Sequence, residues 1–282
     1  MSGPALALLI AAAFAHAGWN LLAKRAGAGG SPFVWASAAT GVVLWAPLGI
    51  GALLLGGEPF GAIAAGLAAV SGVLHSIYFI ALQRGYRDGD LSVVYPIARA
   101  LGPLLAVPVA AVTLGQRPGP AAVVGGLVIV AAVLSLTGRP RPGDRASLAY
   151  ATLTGLCIAA YTVWDAFTVD RVALSPITLF WAAELSRCLW LAPIAIHRRS
   201  AVVEVLREHR RLVVGVAILS PLAYILVLQA LRLAPVSVVA PTREMSIVIG
   251  ALLGTRLLGE PGGRRRVIAA ATVVLGIALL AW

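Results

Sequence analysis

Apolar residues along this chain come in long continuous runs, at 5–22, 33–55, 61–83, 91–114, 119–137, 147–168, 176–196, 212–231, 236–258 and 267–282. A helix of about 20 apolar residues spans about 30 Å, the thickness of a bilayer's hydrocarbon core. The runs do not alternate every second residue, which disfavours a β-barrel. The pattern therefore predicts an all-α polytopic membrane protein with ten transmembrane helices. A polar, proline-rich stretch from Gly138 to Arg145 divides the runs into five and five.

The two sets of five resemble each other at an offset of about 145 residues. Trp19-Asn20 is echoed by Trp164-Asp165, Ser31-Pro32 by Ser175-Pro176, and Tyr78…Gln83 by Tyr224…Gln229. SVVYP at 92–96 returns as SVVAP at 237–241, and each half closes on an LGxxxG-type turn before its last apolar run. Duplication in so apolar a chain is a sequence mark of transporters built from repeats, with the site between the halves. The expected units are 1–138 and 147–282.

Loop charge sets the orientation. The loops after runs 1, 3, 5, 7 and 9 hold 16 Lys and Arg, with Arg256 near the end of run 9 counted in its loop, those after runs 2, 4, 6 and 8 hold 3, and Arg99, Arg187 and Arg243 lie deeper inside runs. The positive-inside rule places the odd-numbered loops in the cytoplasm and both termini outside. Five is odd, so the halves must lie in opposite orientations, an inverted-topology repeat with a pseudo-two-fold axis in the membrane plane. Ala15-His16-Ala17 imitates a signal-peptide cleavage site, but Met1 to Pro4 carries no basic side chain and the first run has a counterpart at 147–168. It is read as a transmembrane helix.

Composition agrees. The chain of 282 residues is 60% hydrophobic and 12% charged, about half the charged fraction of a soluble domain. Its formal net charge of +11 sits in short loops, where it reads as topology signals and lipid-headgroup contacts rather than a nucleic-acid surface. Cys157 and Cys188 fall inside apolar runs and read as small buried hydrophobes. No metal-ligand spacing, Walker motif, Asp-rich diphosphate motif, HExxH or GxSxG is present. Neither a metal nor a cofactor is expected, and direct ATP drive and an intramembrane enzyme are disfavoured.

The candidate chemistry lies in ionisable residues inside the runs: Arg99, Asp165, Glu184, Arg187, Arg243 and Glu244. Each costs about 2.5–3.5 kcal/mol at the bilayer centre unless it pairs or meets water. Glu184 and Arg187 are three apart and share a helix face. They read either as a structural pair or with Glu184, and likewise Glu244, carrying a coupling proton. Trp181, one turn earlier, can stack on a substrate or pack. Arg99 and Arg243 follow the proline of the repeated SVVxP, where a helix should kink or break. They suit a carboxylate or phosphate, or a salt bridge to Glu184, Glu244 or Asp165. His16 and Asn20 share a face of the first helix, and Tyr161 and Asp165 share the equivalent face of the sixth. These two pairs, with Trp19 and Trp164, line a cavity or tie helices together. His75, Tyr78 and Tyr224 are weaker candidates of the same kind, and Tyr95 belongs to the SVVYP motif itself.

These features, AHAGWNLLAKR and AAYTVWDAFTVDR with SVVYPIARALGP and SVVAPTREMSIVIG, resemble the drug/metabolite transporter superfamily, in its EamA-type branch. The resemblance covers essentially the whole chain. It implies a central cavity lined by helices 1, 3, 4, 6, 8 and 9, with helices 2 and 7 as gates. It also implies cytoplasmic termini, against the loop charges, which are preferred here. The expected function is a secondary active transporter, as an exporter, that moves a small organic metabolite by alternating access, with proton coupling one option. A lipid or lipid-sugar flippase of the same fold is the alternative. The expected setting is the inner (cytoplasmic) membrane, and the expected partners are the small-molecule substrate and the bilayer, with no nucleic acid, as a monomer or homodimer.

Overall fold

The structure, a computed structural model, describes residues 1–25, 30–57, 60–88, 91–136, 145–249 and 263–281. It is helical throughout, with no strand among the described residues. The helices are α1 (Gly3–Arg25), α2 (Gly30–Leu55), α3 (Ala62–Asp88), α4 (Leu91–Thr113), α5 (Pro120–Ser135), α6 (Arg145–Arg171), α7 (Pro176–His197), α8 (Arg199–Glu208), α9 (Arg210–Leu231), α10 (Val236–Thr242) and α11 (Gly263–Ala281). Seven of them are long and apolar enough to cross a membrane, and α5 and the apolar part of α11 are shorter.

That makes eleven helices among the described residues rather than ten. The addition is α8, which falls in the basic stretch read from sequence as a loop. Its Val202 and Val205 are buried, and Val205 joins Phe33, Trp19 and Val213 in one apolar cluster. A ten-residue amphipathic helix carries two buried valines and a charged outer face, so it escapes a search for long apolar runs.

The two SVVxP motifs also behave differently. α4 runs unbroken through Pro96, Pro103 and Pro108, so the break expected there is absent. α10 ends one residue after Pro241, and residues 245–249 are helical again. Across that turn the amides of Glu244, Ser246 and Ile247 bond to carbonyls three residues back, which tightens the backbone into 3₁₀ geometry.

The distribution of side chains inverts that of a soluble protein. Leu55 is 90% exposed and Val112 86%, whereas Arg99 and Glu244 are each 2% exposed. Large apolar side chains turned outward suit hydrocarbon, and buried charges then need partners inside. The chain is a multi-pass membrane protein.

Helices of the first half pack mainly on helices of the second: α1 on α9, α2 on α7, α3 on α6, α4 on α6 and α5 on α11. Two indoles show the direction of one pair. Trp35 Nε1 donates to the Cys188 carbonyl at 3.1 Å and Trp181 Nε1 to the Val42 carbonyl at 3.0 Å. As the chain advances from 35 to 42 on α2, its partner retreats from 188 to 181, so α2 and α7 are antiparallel. Small residues allow such close approach. A Cβ at Gly72 would sit 2.6 Å from the Ala183 carbonyl oxygen where α3 meets α7.

Candidate functional site

Buried polar and aromatic side chains from α3, α6, α9 and the turn after α10 meet in one cluster. On α6, Tyr161 and Asp165 are four apart and both face inward, at 3% and 0% exposure. On α3, Ser71, His75 and Tyr78 follow the same helical stripe. His75 stacks on Tyr161 with centroids 4.2 Å apart and sets its edge to Tyr224 at 5.0 Å. Its Nδ1 lies 2.9 Å from the Ser71 carbonyl oxygen. A carbonyl can only accept, so in this contact Nδ1 carries the proton. Tyr224 Oη donates to Asp165 Oδ2 at 2.5 Å, the length of a charge-assisted hydrogen bond.

Arg243, at the helix break, reaches into this cluster. Nη1 donates to Thr162 Oγ1 at 3.2 Å and Nη2 to Tyr161 Oη at 3.4 Å. The guanidinium carbon lies 5.8 Å from the Tyr161 ring centre and 5.6 Å from that of Tyr224. Each of these is a favourable cation–π distance.

The other two intramembrane arginines are ion-paired. Arg99 Nε donates to Glu244 Oε2 at 3.0 Å, and its Nη2 lies 3.4 Å from Ser246 Oγ. Arg187 Nη2 lies 2.7 Å from Glu184 Oε2, and its guanidinium sits 4.6 Å above the Phe79 ring centre. The Glu184–Arg187 contact is short but misses hydrogen-bond alignment. It is an ion pair held by charge more than by directional bonding.

The remaining candidates take separate places. Trp19 donates its indole N–H to His16 Nδ1 at 3.2 Å and meets Phe79 at 5.9 Å, which links α1 to the aromatic cluster through Phe79 and Tyr78. Asn20 donates to the carbonyl of His16 at 2.7 Å, within its own helix. Trp164 and Trp181 are tied away from the cluster, to the carbonyls of Leu67 and Val42. The side chain of Tyr95 lies outside the described residues. Thr162, Ser246 and Phe79 were not singled out from sequence. All three sit within three residues of a candidate, but Thr162 and Ser246 carry a polar group that could have marked them, whereas a phenylalanine in an apolar run does not.

Residues 145–282 match the family model of the EamA-like transporter family. No curated protein is similar enough to the chain to match. Among 29 matching chains of solved structures, one crystal structure is similar over 98% of both chains, with a TM-score of 0.72 and 18% sequence identity. At that identity the likeness shows a shared fold.

Proposed function

Since residues 145–282 carry an EamA-like transporter domain, and so place the chain with membrane transporters of small molecules, we propose that it is a secondary active transporter. It exports a small organic metabolite by alternating access, on a scaffold of two inverted five-helix repeats at 1–138 and 147–282. The observation that carries this reading is the buried cluster at the junction of the halves, with His75 and Tyr78 from the first and Tyr161, Asp165, Tyr224 and Arg243 from the second. Soluble packing gives no reason to set these groups at membrane depth, whereas a substrate passage does. Two features support the repeat. The α1–α9 contact is the counterpart of the α6–α3 contact, and Arg99 bonds to Glu244 across a separation of 145 residues, the repeat offset itself.

The substrate side is formed by His16, Trp19, Asn20, His75, Tyr78, Tyr161, Asp165, Tyr224 and Arg243. Trp164 and Trp181 hold their helices across the inter-half junction. Glu184 is the group that exchanges a proton, passing between its ion pair with Arg187 and the uncharged form. The test is efflux from proteoliposomes loaded with an isotopically labelled cell extract and read by mass spectrometry. At least one metabolite should leave faster than from protein-free vesicles. An extract whose components stay inside but are chemically altered would replace transport by enzymology. Under an imposed pH gradient, Glu184→Gln should lose gradient-driven accumulation and keep exchange, and loss of both would demote Glu184 to a structural partner of Arg187.

The protein lies in the cytoplasmic membrane with its basic loops, including the one that carries α8, on the cytoplasmic side and both termini outside. Alkaline phosphatase fused after residue 282 should be active, and a cytoplasm-only fluorescent reporter at that point should be dark. The opposite pair of results reverses the orientation.

A further inference from the structure

Among the described residues, six charged side chains inside the apolar runs form a balanced set, with Arg99, Arg187 and Arg243 against Asp165, Glu184 and Glu244. Two arginines are neutralised at contact distance, Arg99 by Glu244 at 3.0 Å and Arg187 by Glu184 at 2.7 Å. Arg243 is not. Among the described residues no carboxylate oxygen comes within 4.0 Å of its guanidinium, which is held by two neutral hydroxyls and two ring faces. Its side chain is nonetheless 7% exposed. A buried guanidinium offers five N–H donors, and the contacts to Thr162 and Tyr161 use two of them.

The leftover carboxylate, Asp165, is kept apart by the tyrosine that touches both groups. The hydroxyl of Tyr224 is bonded to Asp165, while its ring lies beneath Arg243. The polarity is also one-sided. At the repeat offset of 145 the counterpart of Arg243 is Ala98, which is fully buried. The first half therefore offers no second cation at the matching place.

We propose that Arg243 is the seat of an anionic group of the transported molecule, a carboxylate or phosphate, with the rings of Tyr161 and Tyr224 against the organic remainder. The assignment rests on reading the cluster as the substrate site. Arg99, which shared this role in the sequence pattern, is excluded by its bond to Glu244. The substrate enters with its charge directed at the turn after α10, where a planar guanidinium can grip two oxygens at once.

The test is thermal unfolding of the purified full-length protein in detergent, with matched probes: benzoate against benzamide, and phenyl phosphate against phenol. Ligand binding raises the unfolding temperature by an amount that grows with the logarithm of ligand excess over Kd. At least one anion should stabilise the wild type while its neutral partner does not. Arg243→Gln should weaken that response by about 30-fold or more in apparent Kd, and Arg243→Lys by about tenfold, as expected for losing one or two charge-assisted hydrogen bonds. A wild type that responds to none of the anions, or an Arg243→Gln variant that responds like wild type, overturns the assignment.

If Arg243→Gln does not fold, the lysine variant and Thr162→Val decide, since both are expected to bind the anion more weakly, and unaltered binding in both counts against the site. Were Arg243 only a partner for Asp165, the double variant Arg243→Gln/Asp165→Asn would regain both stability and anion response, whereas the anion seat predicts no regained response. A shift seen only with phosphatidylglycerol micelles assigns the position to a lipid headgroup and also overturns the metabolite reading. Anion binding without proteoliposome flux keeps the site and removes the transporter. Flux without anion binding does the reverse.

Discussion

Arg99→Leu is expected to destabilise the protein by about 3–5 kcal/mol, because it strands Glu244 in the interior without its cation. Glu244→Leu should do the same to Arg99. The pair joins positions 145 residues apart, the offset that lays SVVYP on SVVAP. In two units related by a two-fold rotation, a position meets its own counterpart only on the axis. Two identical halves would therefore press like charges together there, and divergence to arginine and glutamate turns repulsion into a bond. On the proposed inverted repeat, rotation about the axis would also convert the surroundings of one member into those of the other. The exchange Arg99→Glu/Glu244→Arg should then rebuild the pair and recover most of the loss. Thermal unfolding of the two single variants and the exchanged double in one detergent measures the coupling. An exchanged variant no more stable than the singles would remove the axis from this pair.

Transport should fall at least tenfold in Tyr224→Phe. By the repeat offset, Asp165 and Tyr224 correspond to Asn20 and Tyr78. In the described conformation Tyr224 holds Asp165, while Asn20 gives its amide to the carbonyl of His16. Alternating access in an inverted repeat exchanges the conformations of the halves. On the inverted-repeat reading proposed above, the opposite-facing state would set Asn20 against Tyr78 and release Asp165 from Tyr224. A hydrogen bond to a charged acceptor is worth about 1.5–3 kcal/mol net. Deleting one that exists in a single state shifts the two-state ratio by about 10- to 150-fold. A cycle that must pass through both states slows accordingly. Asp165→Asn should act in the same direction, and the double variant should be no slower than the worse single, because both remove one contact. Wild-type flux in Tyr224→Phe, or additive losses in the double, would sink this account of the cycle.

Much of the architecture could be read directly. Nine of the ten apolar runs coincide with helices to within about five residues at each described end, since run length against bilayer thickness is a one-dimensional constraint. The ninth run was correctly marked for a break at its proline. At Pro96, where a kink or a break was expected, α4 continues without a break. Run length also missed α8, whose buried Val205 makes sense only in the cluster it shares with Phe33 of α2. Among the site candidates, spacing alone offered Glu184 and Arg187 as one possible pair, because three residues along a helix fix a shared face. Arg99 was left with three possible acids, and Arg243 with the same three.

Local chemistry and chain length alone determined that this is a multi-pass helical membrane protein and where its costly intramembrane charges lie. Only the tertiary structure decided which charges on different helices meet. Helices that are apolar on nearly every side carry no stripe that dictates an inward face. Their orientation follows instead from packing against helices far along the chain, such as Tyr224 on Asp165 across 59 residues and Trp35 on Cys188 across 153. That packing gives Arg99 its carboxylate and leaves Arg243 among hydroxyls and rings, whereas Arg187 meets Glu184 one turn away on its own helix.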